Sequence, residues 1–123
     1  MLDSSKLVAF VGTGDAGRAR AFYADVLGLR LVSEDGFALV FDAGGTPLRV
    51  AIVPAVAAAP YTVLGWQVAD IRATIDALVR RGVRFERYGF MQQDDLGVWA
   101  APSGARVAWF KDPDGNLLSL SQL

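Results

Sequence analysis

Two missing residue types limit the chemistry that this 123-residue chain can perform. The sequence contains neither cysteine nor histidine. It therefore lacks a thiol nucleophile, disulfides, and thiolate and imidazole metal ligands. It also lacks the histidine that a Ser-His-Asp triad requires. A metal ion would need a site built from oxygen atoms, and a proton transfer would need Asp, Glu, Tyr or Lys.

A glycine-rich segment near the N-terminus has the spacing of a dinucleotide-binding motif. Residues 12–17, Gly-Thr-Gly-Asp-Ala-Gly, match G-x-G-x-x-G between a predicted strand and a predicted helix. A dinucleotide-binding domain requires continued alternation of strands and helices. Three strand-like segments follow here before the next helix, so we interpret the motif as a strand-to-helix turn with Asp15 as the helix cap.

A second segment, Asp112-Pro-Asp-Gly-Asn116, resembles the start of a calcium-binding loop. The twelfth position of such a loop requires a bidentate Glu, and here that position is Leu123. The segment instead predicts a tight hairpin turn, because Pro113 presets φ and Gly115 tolerates positive φ.

The stretch from residue 86 to residue 99 is polar, aromatic and interrupted by glycine, and it lies between two strand-like segments. One interpretation is a loop over a binding site, with apolar walls and a few polar contacts. The apolar candidates are Tyr88, Met91 and Trp99, and the polar candidates are Glu86, Gln92 and Asp94. The other interpretation is a solvated connection whose aromatic side chains pack into the core or a dimer contact.

The overall composition predicts one folded domain without a charged partner. Hydrophobic residues make up 53% of the chain, and 12 basic residues nearly balance 13 acidic ones. This balance predicts no binding of nucleic acid or of an anionic membrane. The N-terminal residues lack the pattern of a signal peptide, so we expect a soluble cytoplasmic protein.

The predicted elements follow the same order in both halves of the chain. A strand (Leu7–Val11) and a helix (Asp15–Leu27, ended by Gly28) are followed by strands Leu29–Ser33, Phe37–Phe41 and Leu48–Val53. In the second half, strand Thr62–Val68 and helix Asp70–Arg81, ended by Gly82, are followed by strand-like segments Val83–Tyr88, Val98–Ala101, Arg106–Lys111 and Leu117–Leu120. A duplicated βαβββ module is the simplest account, with module 1 about 1–53, a linker at 54–60 and module 2 about 61–123, in a single domain.

Alternation along the strands predicts one apolar face per module, which can lie under the helices. The members of this face are Leu7, Ala9, Val11, Leu48, Val50, Ile52, Leu64, Trp66, Val68, Leu118 and Leu120. The opposite face mixes small, apolar and polar side chains, as small-molecule sites do. It includes Val8, Phe10, Gly12, Arg49, Ala51, Val63, Gly65, Gln67, Leu117, Ser119 and Ser121.

Two motifs at the ends of the chain resemble those of a known family. Residues 18–29, Arg-Ala-Arg-Ala-Phe-Tyr-Ala-Asp-Val-Leu-Gly-Leu, resemble the first-helix signature of the glyoxalase/bleomycin-resistance/extradiol-dioxygenase (vicinal oxygen chelate) superfamily. Residues 109–116, Trp-Phe-Lys-Asp-Pro-Asp-Gly-Asn, resemble its last hairpin. The resemblance covers nearly the whole chain. It implies an α+β fold of two βαβββ modules that form a cupped mixed sheet with helices on the convex side.

The resemblance also assigns four metal-ligand positions inside the cup. Members of the family usually carry a His in the first strand of each module and a Glu in the last. Counting from the motifs places these positions at Val8, Arg49, Val63 and Ser119. Arg49 would repel a divalent cation. The residues at these positions therefore predict no metal and no other cofactor, and they argue against the metal-dependent activities of the family.

The polar side chains of the predicted cup are candidates for ligand binding. Arg49 would bind a carboxylate, enolate or phosphate, unless it pairs with Asp42 or another acid. Gln67 and Ser119 would donate or accept hydrogen bonds, unless they form an ordinary polar pair or a water site. The predicted ligand-binding residues are Phe10, Arg49, Gln67, Tyr88, Gln92, Asp94, Trp99 and Ser119.

Three functions remain open from the sequence. The first is a metal-free protein that binds or sequesters a small organic, anionic molecule in the cup, as bleomycin-resistance relatives do. The second is a metal-independent isomerase or lyase, with Arg49 stabilising an oxyanion and Tyr88, Glu86 or Asp94 moving a proton. The third is a structural or regulatory dimer without a ligand. By analogy with the family, we expect a homodimer.

Overall fold

The computed structural model describes residues 1–123. It divides into two compact units, Met1–Ala57 and Ala58–Leu123. The boundary between them falls inside the segment predicted as a linker. Each unit has the order strand, helix, strand, strand, strand, so the predicted α+β fold of two βαβββ modules is confirmed.

In the first unit, a short 3₁₀ turn precedes a four-stranded sheet. The elements are the 3₁₀ turn Leu2–Ser4, β1 (Ala9–Thr13), α1 (Ala16–Arg20) with its π-helical continuation Ala21–Val26, β2 (Arg30–Glu34), β3 (Ala38–Ala43) and β4 (Thr46–Ile52). The strand order is β1-β4-β3-β2, with β1 parallel to β4 and the other pairs antiparallel.

The second unit repeats this topology. Its elements are β5 (Leu64–Gln67), α2 (Ile71–Arg80), β6 (Trp99–Ala100), β7 (Arg106–Lys111) and β8 (Leu117–Gln122). The strand order is β5-β8-β7-β6, with β5 parallel to β8. The last strand, β8, therefore lies between β5, its parallel neighbour at the edge of the sheet, and β7, its antiparallel hairpin partner.

The core of the first unit confirms Leu48 and Val50 on the face predicted to lie under the helix, whereas Leu7, predicted on the same face, precedes β1 and is 75% exposed. Leu39, Phe41, Leu48 and Val50 have no solvent exposure. The ring of Tyr23, from the π-helical segment, packs against Phe41 with centroids 5.8 Å apart. The alternating strand pattern therefore gives the correct buried face.

Helix α2 begins and ends where the sequence predicts. The side chain of Asp70 accepts a hydrogen bond from the backbone N–H of Ala73 at 3.1 Å, which caps the first turn. Gly82 has a φ of 93°, and the N–H of Val83 returns to the carbonyl of Leu78 at 3.1 Å. This is the Schellman arrangement, which needs a residue with positive φ after the helix. No helix of the protein is long and apolar enough to cross a membrane.

The two motifs that resemble ligand loops are turns. The Asp15 side chain accepts a hydrogen bond from the N–H of Arg18 at 3.0 Å, so it caps α1 as predicted. Asp112 is 5% exposed, and its carboxylate accepts hydrogen bonds from the N–H groups of Asp114 and Asn116, both at 2.9 Å. These bonds hold the tight turn between β7 and β8.

The predicted strand over Val83–Tyr88 is wrong. Only an isolated bridge between Phe85 and Phe110 forms in this segment. The Gln93 side chain occupies the place of a neighbouring strand, because its amide oxygen accepts from Tyr88 N–H at 2.8 Å and its amide nitrogen donates to the Glu86 carbonyl at 3.0 Å. Because the Gln93 side chain satisfies these backbone hydrogen-bonding groups, they do not need a partner strand.

Candidate functional site

The second sheet has a face directed away from α2, which we call its distal face. The Gln122 side chain accepts a hydrogen bond from the N–H of Ile71 at 2.8 Å, so the even-numbered residues of β8 face α2. The odd-numbered residues face the other way. The strand register places Gly65, Ser119 and Trp109 in one row of the distal face, and Gln67, Ser121, Val107 and Trp99 in the next.

Aromatic side chains dominate this distal face. The ring centroid of Trp109 lies 6.1 Å from that of Trp99 and 5.7 Å from that of Tyr88. The indole N–H of Trp109 donates to the hydroxyl of Thr62 at 3.1 Å, which fixes the ring. Phe90 extends the cluster, 5.6 Å from Tyr88, and is 82% exposed. The cluster is therefore an ordered apolar surface with an exposed edge.

A cavity of about 370 Å³ opens against this aromatic surface. Its walls are mostly apolar, and they include Tyr61, Tyr88, Phe90, Met91, Trp109 and Leu117. A second cavity of about 320 Å³ shares Tyr88 and Leu117 and adds Lys111. Sequence analysis predicted Tyr88 and Met91 as apolar walls, and both line the larger cavity.

The polar groups beside these cavities are few. The Lys111 ammonium lies 3.5 Å from a carboxylate oxygen of Glu86. Burial, with a smaller contribution from the charge of Glu86, raises the pKa of Tyr88. The Tyr88 phenol therefore keeps its proton at neutral pH and is a hydrogen-bond donor rather than a base.

At Gly65 and Ser119 the distal face carries a buried hydroxyl group in a closely packed place. Ser119 is 7% exposed. A side chain at Gly65 would place its Cβ atom 2.7 Å from the Ser119 hydroxyl oxygen. The glycine therefore leaves the space that this hydroxyl occupies. Gln67 is exposed on the same face, two residues further along β5.

The structure engages the Asp94 side chain within its own loop. One carboxylate oxygen accepts from the N–H groups of Leu96 and Val98, both at 2.9 Å, and the other accepts from Arg72 at 2.8 Å. Burial raises the pKa of Asp94, but these N–H groups and the charges of Arg72 and Arg87 outweigh it and lower the pKa. Asp94 therefore holds the loop together.

Gln92 and Asp94 line a third cavity, separate from the aromatic surface except at Met91. This cavity is about 670 Å³ and we call it the arginine cleft, lined among others by Arg72, Met91, Gln92, Asp94, Val98 and Arg106. Arg106 pairs with Gln122 in the register of β7 and β8, so the cleft lies on the α2 side of the sheet. The predicted site residues of this loop therefore divide between two faces.

In the first unit, Phe10 and Arg49 are neighbours on the face directed away from α1. They are register partners across the parallel pair of β1 and β4. Phe10 is 60% exposed and Arg49 is half-buried. Asp42, the acid considered as a partner for Arg49, instead pairs with Arg30 at 3.2 Å.

Arg49 forms no ion pair of its own. The pKa of Asp35 is lowered chiefly by hydrogen bonds from the N–H groups of Phe37 and Ala38, and the charge of Arg49 adds a smaller contribution. The Arg49 guanidinium therefore keeps its donors for another group.

The residues at the expected metal-ligand positions do not fit a metal ion. Val8 and Val63 carry no donor atom, Arg49 is cationic, and a neutral Ser119 hydroxyl is a weak ligand. No group of three or more acidic side chains in the protein is arranged to hold a metal ion. These side chains therefore do not supply a site for a metal-dependent reaction step.

Sequence analysis did not include the central residue of the aromatic surface, Trp109, among the candidate site residues. A count outward from the Asp112–Asn116 turn would have found it. Lys111 and Leu117 flank that turn as partners, so two residues further out Trp109 must lie opposite Ser119. Arg72 and Arg106 were also missed, because no local pattern marks the cleft that they line.

Comparisons with known proteins agree on one family. A model of the Glyoxalase/Bleomycin resistance protein/Dioxygenase superfamily matches residues 7–120. No curated protein matches the sequence.

Solved structures share the fold at low sequence identity. A glyoxalase family protein from Enterococcus faecalis is 22% identical, with a TM-score of 0.76 over 98% of this chain and 99% of that one. A lactoylglutathione lyase from Agrobacterium tumefaciens is 18% identical, with a TM-score of 0.75 over 97% and 93%. A fosfomycin resistance protein from Listeria monocytogenes is 14% identical, with a TM-score of 0.76 over 98% and 93%. At these identities the similarity shows the fold alone.

Proposed function

The chain belongs to the Glyoxalase/Bleomycin resistance protein/Dioxygenase superfamily, and from this premise we propose that it binds a small organic molecule without a metal ion. The proposed binding surface is the aromatic cavity on the distal face of the second sheet. The observation that carries the proposal is the cluster of Tyr88, Trp99 and Trp109 beside a cavity of about 370 Å³.

The size and lining of the cavity support a small, mostly apolar ligand. Known ligand pockets measure roughly 300–1,000 Å³ and have apolar walls with a few polar groups. Here Trp109 is fixed through its N–H, so a ligand ring stacked on it would not have to order the wall first. The Tyr88 phenol supplies a donor. The Lys111 ammonium, which lies 3.5 Å from a Glu86 oxygen and lines the adjoining cavity, has further N–H groups for an anionic group. The ligand we propose is therefore an aromatic molecule with an anionic group.

On the first unit, considered by itself, Arg49 is the residue that we propose for an anionic group. Its guanidinium forms no ion pair, and it lies beside the exposed ring of Phe10. An arginine next to an aromatic ring offers both charge and stacking to a carboxylate or phosphate.

Binding is better supported than proton transfer by this chain's acids. Asp94 has both carboxylate oxygens engaged and a lowered pKa, which makes it a poor acid or base at neutral pH. Glu86 forms an ion pair with Lys111. Tyr88 remains as a donor only. The isomerase or lyase alternative would need a general base that is free to reach a substrate, and these contacts engage the carboxylates of both Asp94 and Glu86.

An equilibrium binding screen tests the proposal. The protein is treated with EDTA and titrated with aromatic carboxylates and their amides, while tryptophan fluorescence reports binding. We expect carboxylates to bind after EDTA treatment and Trp109→Leu, which removes a ring from the cavity wall, to weaken their binding by roughly tenfold, the loss of one aromatic contact.

The matched control is Trp66→Leu, the same substitution on the face of the sheet that lies towards α2. It should lower stability and leave affinity unchanged. Equal affinity loss in both variants, or binding that returns only when a divalent metal is added, would show that the aromatic cavity is not the site.

A further inference from the structure

The arginine cleft holds a positive charge that no group of the protein neutralises. Arg72 is held by two acids, at 2.8 Å from Asp94 and 3.3 Å from Asp95. Arg106 lies across the cleft on β7, and its exposed side chain forms neither an ion pair nor a hydrogen bond. Arg72 and Arg87, which both contact the Asp94–Asp95 segment, together match the two negative charges of these acids. The Arg106 guanidinium therefore keeps its charge and its donors for a ligand.

The wall that carries the cleft is rigid before any ligand arrives. The Arg87 guanidinium donates to the carbonyl oxygens of Asp94 and Asp95, both at 2.6 Å. The Gln93 amide donates to the carbonyls of Glu86 and Gly97 at 3.0 and 2.8 Å. A loop tied by this many side-chain to backbone bonds loses little entropy on binding.

The floor of the cleft is apolar. Val98 is 6% exposed, and Met91 and Ala100 lie beside it among the lining residues. The exposed amide of Gln92 stands at the rim. The N-terminus of α2 adds no free donor at its first residue, because the Ile71 N–H is already bound by Gln122.

We propose that the arginine cleft is a second binding site, for a monoanion with a short aliphatic chain. The Arg106 guanidinium binds the carboxylate, and Met91, Val98 and Ala100 contact the chain. One uncompensated charge selects one negative charge, and a volume of about 670 Å³ admits a chain rather than a bare ion. This site is separate from the aromatic cavity and does not rest on the function proposed for it.

Nuclear magnetic resonance of the ¹⁵N-labelled protein tests this site directly. Hexanoate is the probe, and hexanamide, which has the same chain without the charge, is its control. Hexanoate should shift the Arg106 side-chain Nε–Hε signal and the amides of Val98 and Ala100, and hexanamide should shift them far less.

Arg106→Gln should weaken hexanoate binding by roughly tenfold or more, the scale of a charged hydrogen bond. The matched control is Arg84→Gln, because Arg84 is an exposed arginine of the same unit outside the cleft. Because Arg106 is exposed, the variant keeps its fold, and an unchanged amide spectrum elsewhere checks this.

Three results would overturn the proposal. Hexanoate shifts confined to Tyr88, Phe90 and Trp109 would place the anion on the aromatic surface instead. Equal shifts with hexanamide would show that the carboxylate charge is not recognised. Equal losses of affinity in Arg106→Gln and Arg84→Gln would show that the loss comes from the change in the protein's net charge and not from a contact in the cleft.

Discussion

Tyr88 shows at the scale of single residues how burial changes what a side chain can do. It lies between the ring of Trp109 and the cavities, and burial raises the pKa of its phenol. A neutral phenol costs less to bury than a phenolate. The same contact that makes the wall apolar therefore also keeps the proton in place.

A titration of wild type and Tyr88→Phe monitored by phenolate absorbance measures this effect. The difference between the two curves should have its midpoint above the ordinary tyrosine value of 10.0. Because the folded pKa is raised, the stabilisation from the neutral phenol is complete below the ordinary value and is lost as pH rises through the raised one. A midpoint at or below 10.0 would mean that Tyr88 is not shielded.

Arg49 gives a second test at this scale. If its guanidinium binds an anionic group at the first unit, Arg49→Ala should weaken binding of a carboxylate there by about 1.5–3 kcal/mol, and should leave affinity at the aromatic cavity unchanged. Arg30→Ala is the matched control, because Arg30 belongs to the same sheet and is exposed in an ion pair with Asp42. Calorimetric titration compares the two variants, and equal affinities would remove Arg49 from ligand binding.

At the scale of elements, the ends of α2 and the loop after it are determined by different interactions. The helix end follows from local sequence, because Gly82 supplies the positive φ that the Schellman arrangement needs. The loop from residue 86 to residue 98 depends on distant partners, since Gln93, Arg87 and Arg72 hold it through side chains.

Gly82→Ala should lower the unfolding free energy by about 1–2 kcal/mol, because the Cβ atom of alanine strains the backbone at positive φ. No atom lies within 4 Å of the added Cβ, so the cost is purely conformational. Gly36→Ala is the control, with equally open space and no positive φ. Urea denaturation measures both, and equal stabilities would contradict the proposed helix end.

Asp94→Ala should cost about 1–2 kcal/mol, because two loop N–H groups and Arg72 lose their acceptor. Asp95→Ala should cost less, since the Asp95 side chain is 75% exposed. The Asp94 pKa is lowered, so its stabilisation is present above the ordinary value of 3.8 and fades as pH falls through the lowered value. Urea denaturation at neutral and acidic pH should therefore show the wild-type advantage shrinking in acid.

These elements show why some features were predictable and others were not. Period-two alternation placed Leu48, Val50 and Leu118 on the buried faces, because burial of one strand face repeats every second residue. The same signal wrongly gave a strand over Val83–Tyr88, since alternation of apolar and charged residues does not reveal that a side chain, Gln93, takes the neighbouring strand's place.

At the scale of the whole molecule, two βαβββ units repeat one plan but present different distal faces. The first carries Phe10 and Arg49, and the second carries the aromatic cluster around Trp109. Strand patterning predicted the plan, because both halves share its spacing. It could not predict the cavities, since these arise where the loop from residue 86 to residue 98 meets the sheet. Pairing of two copies stays a prediction from the family resemblance.

The most direct test of metal-free ligand binding is native mass spectrometry of the protein, purified in EDTA after exposure to an extract of its source cells. The account predicts a retained organic mass, reduced in Trp109→Leu and kept in Trp66→Leu, with no metal mass. The same spectrum counts the copies in the assembly. A retained divalent metal, or an organic mass that Trp109→Leu retains fully, would contradict the account.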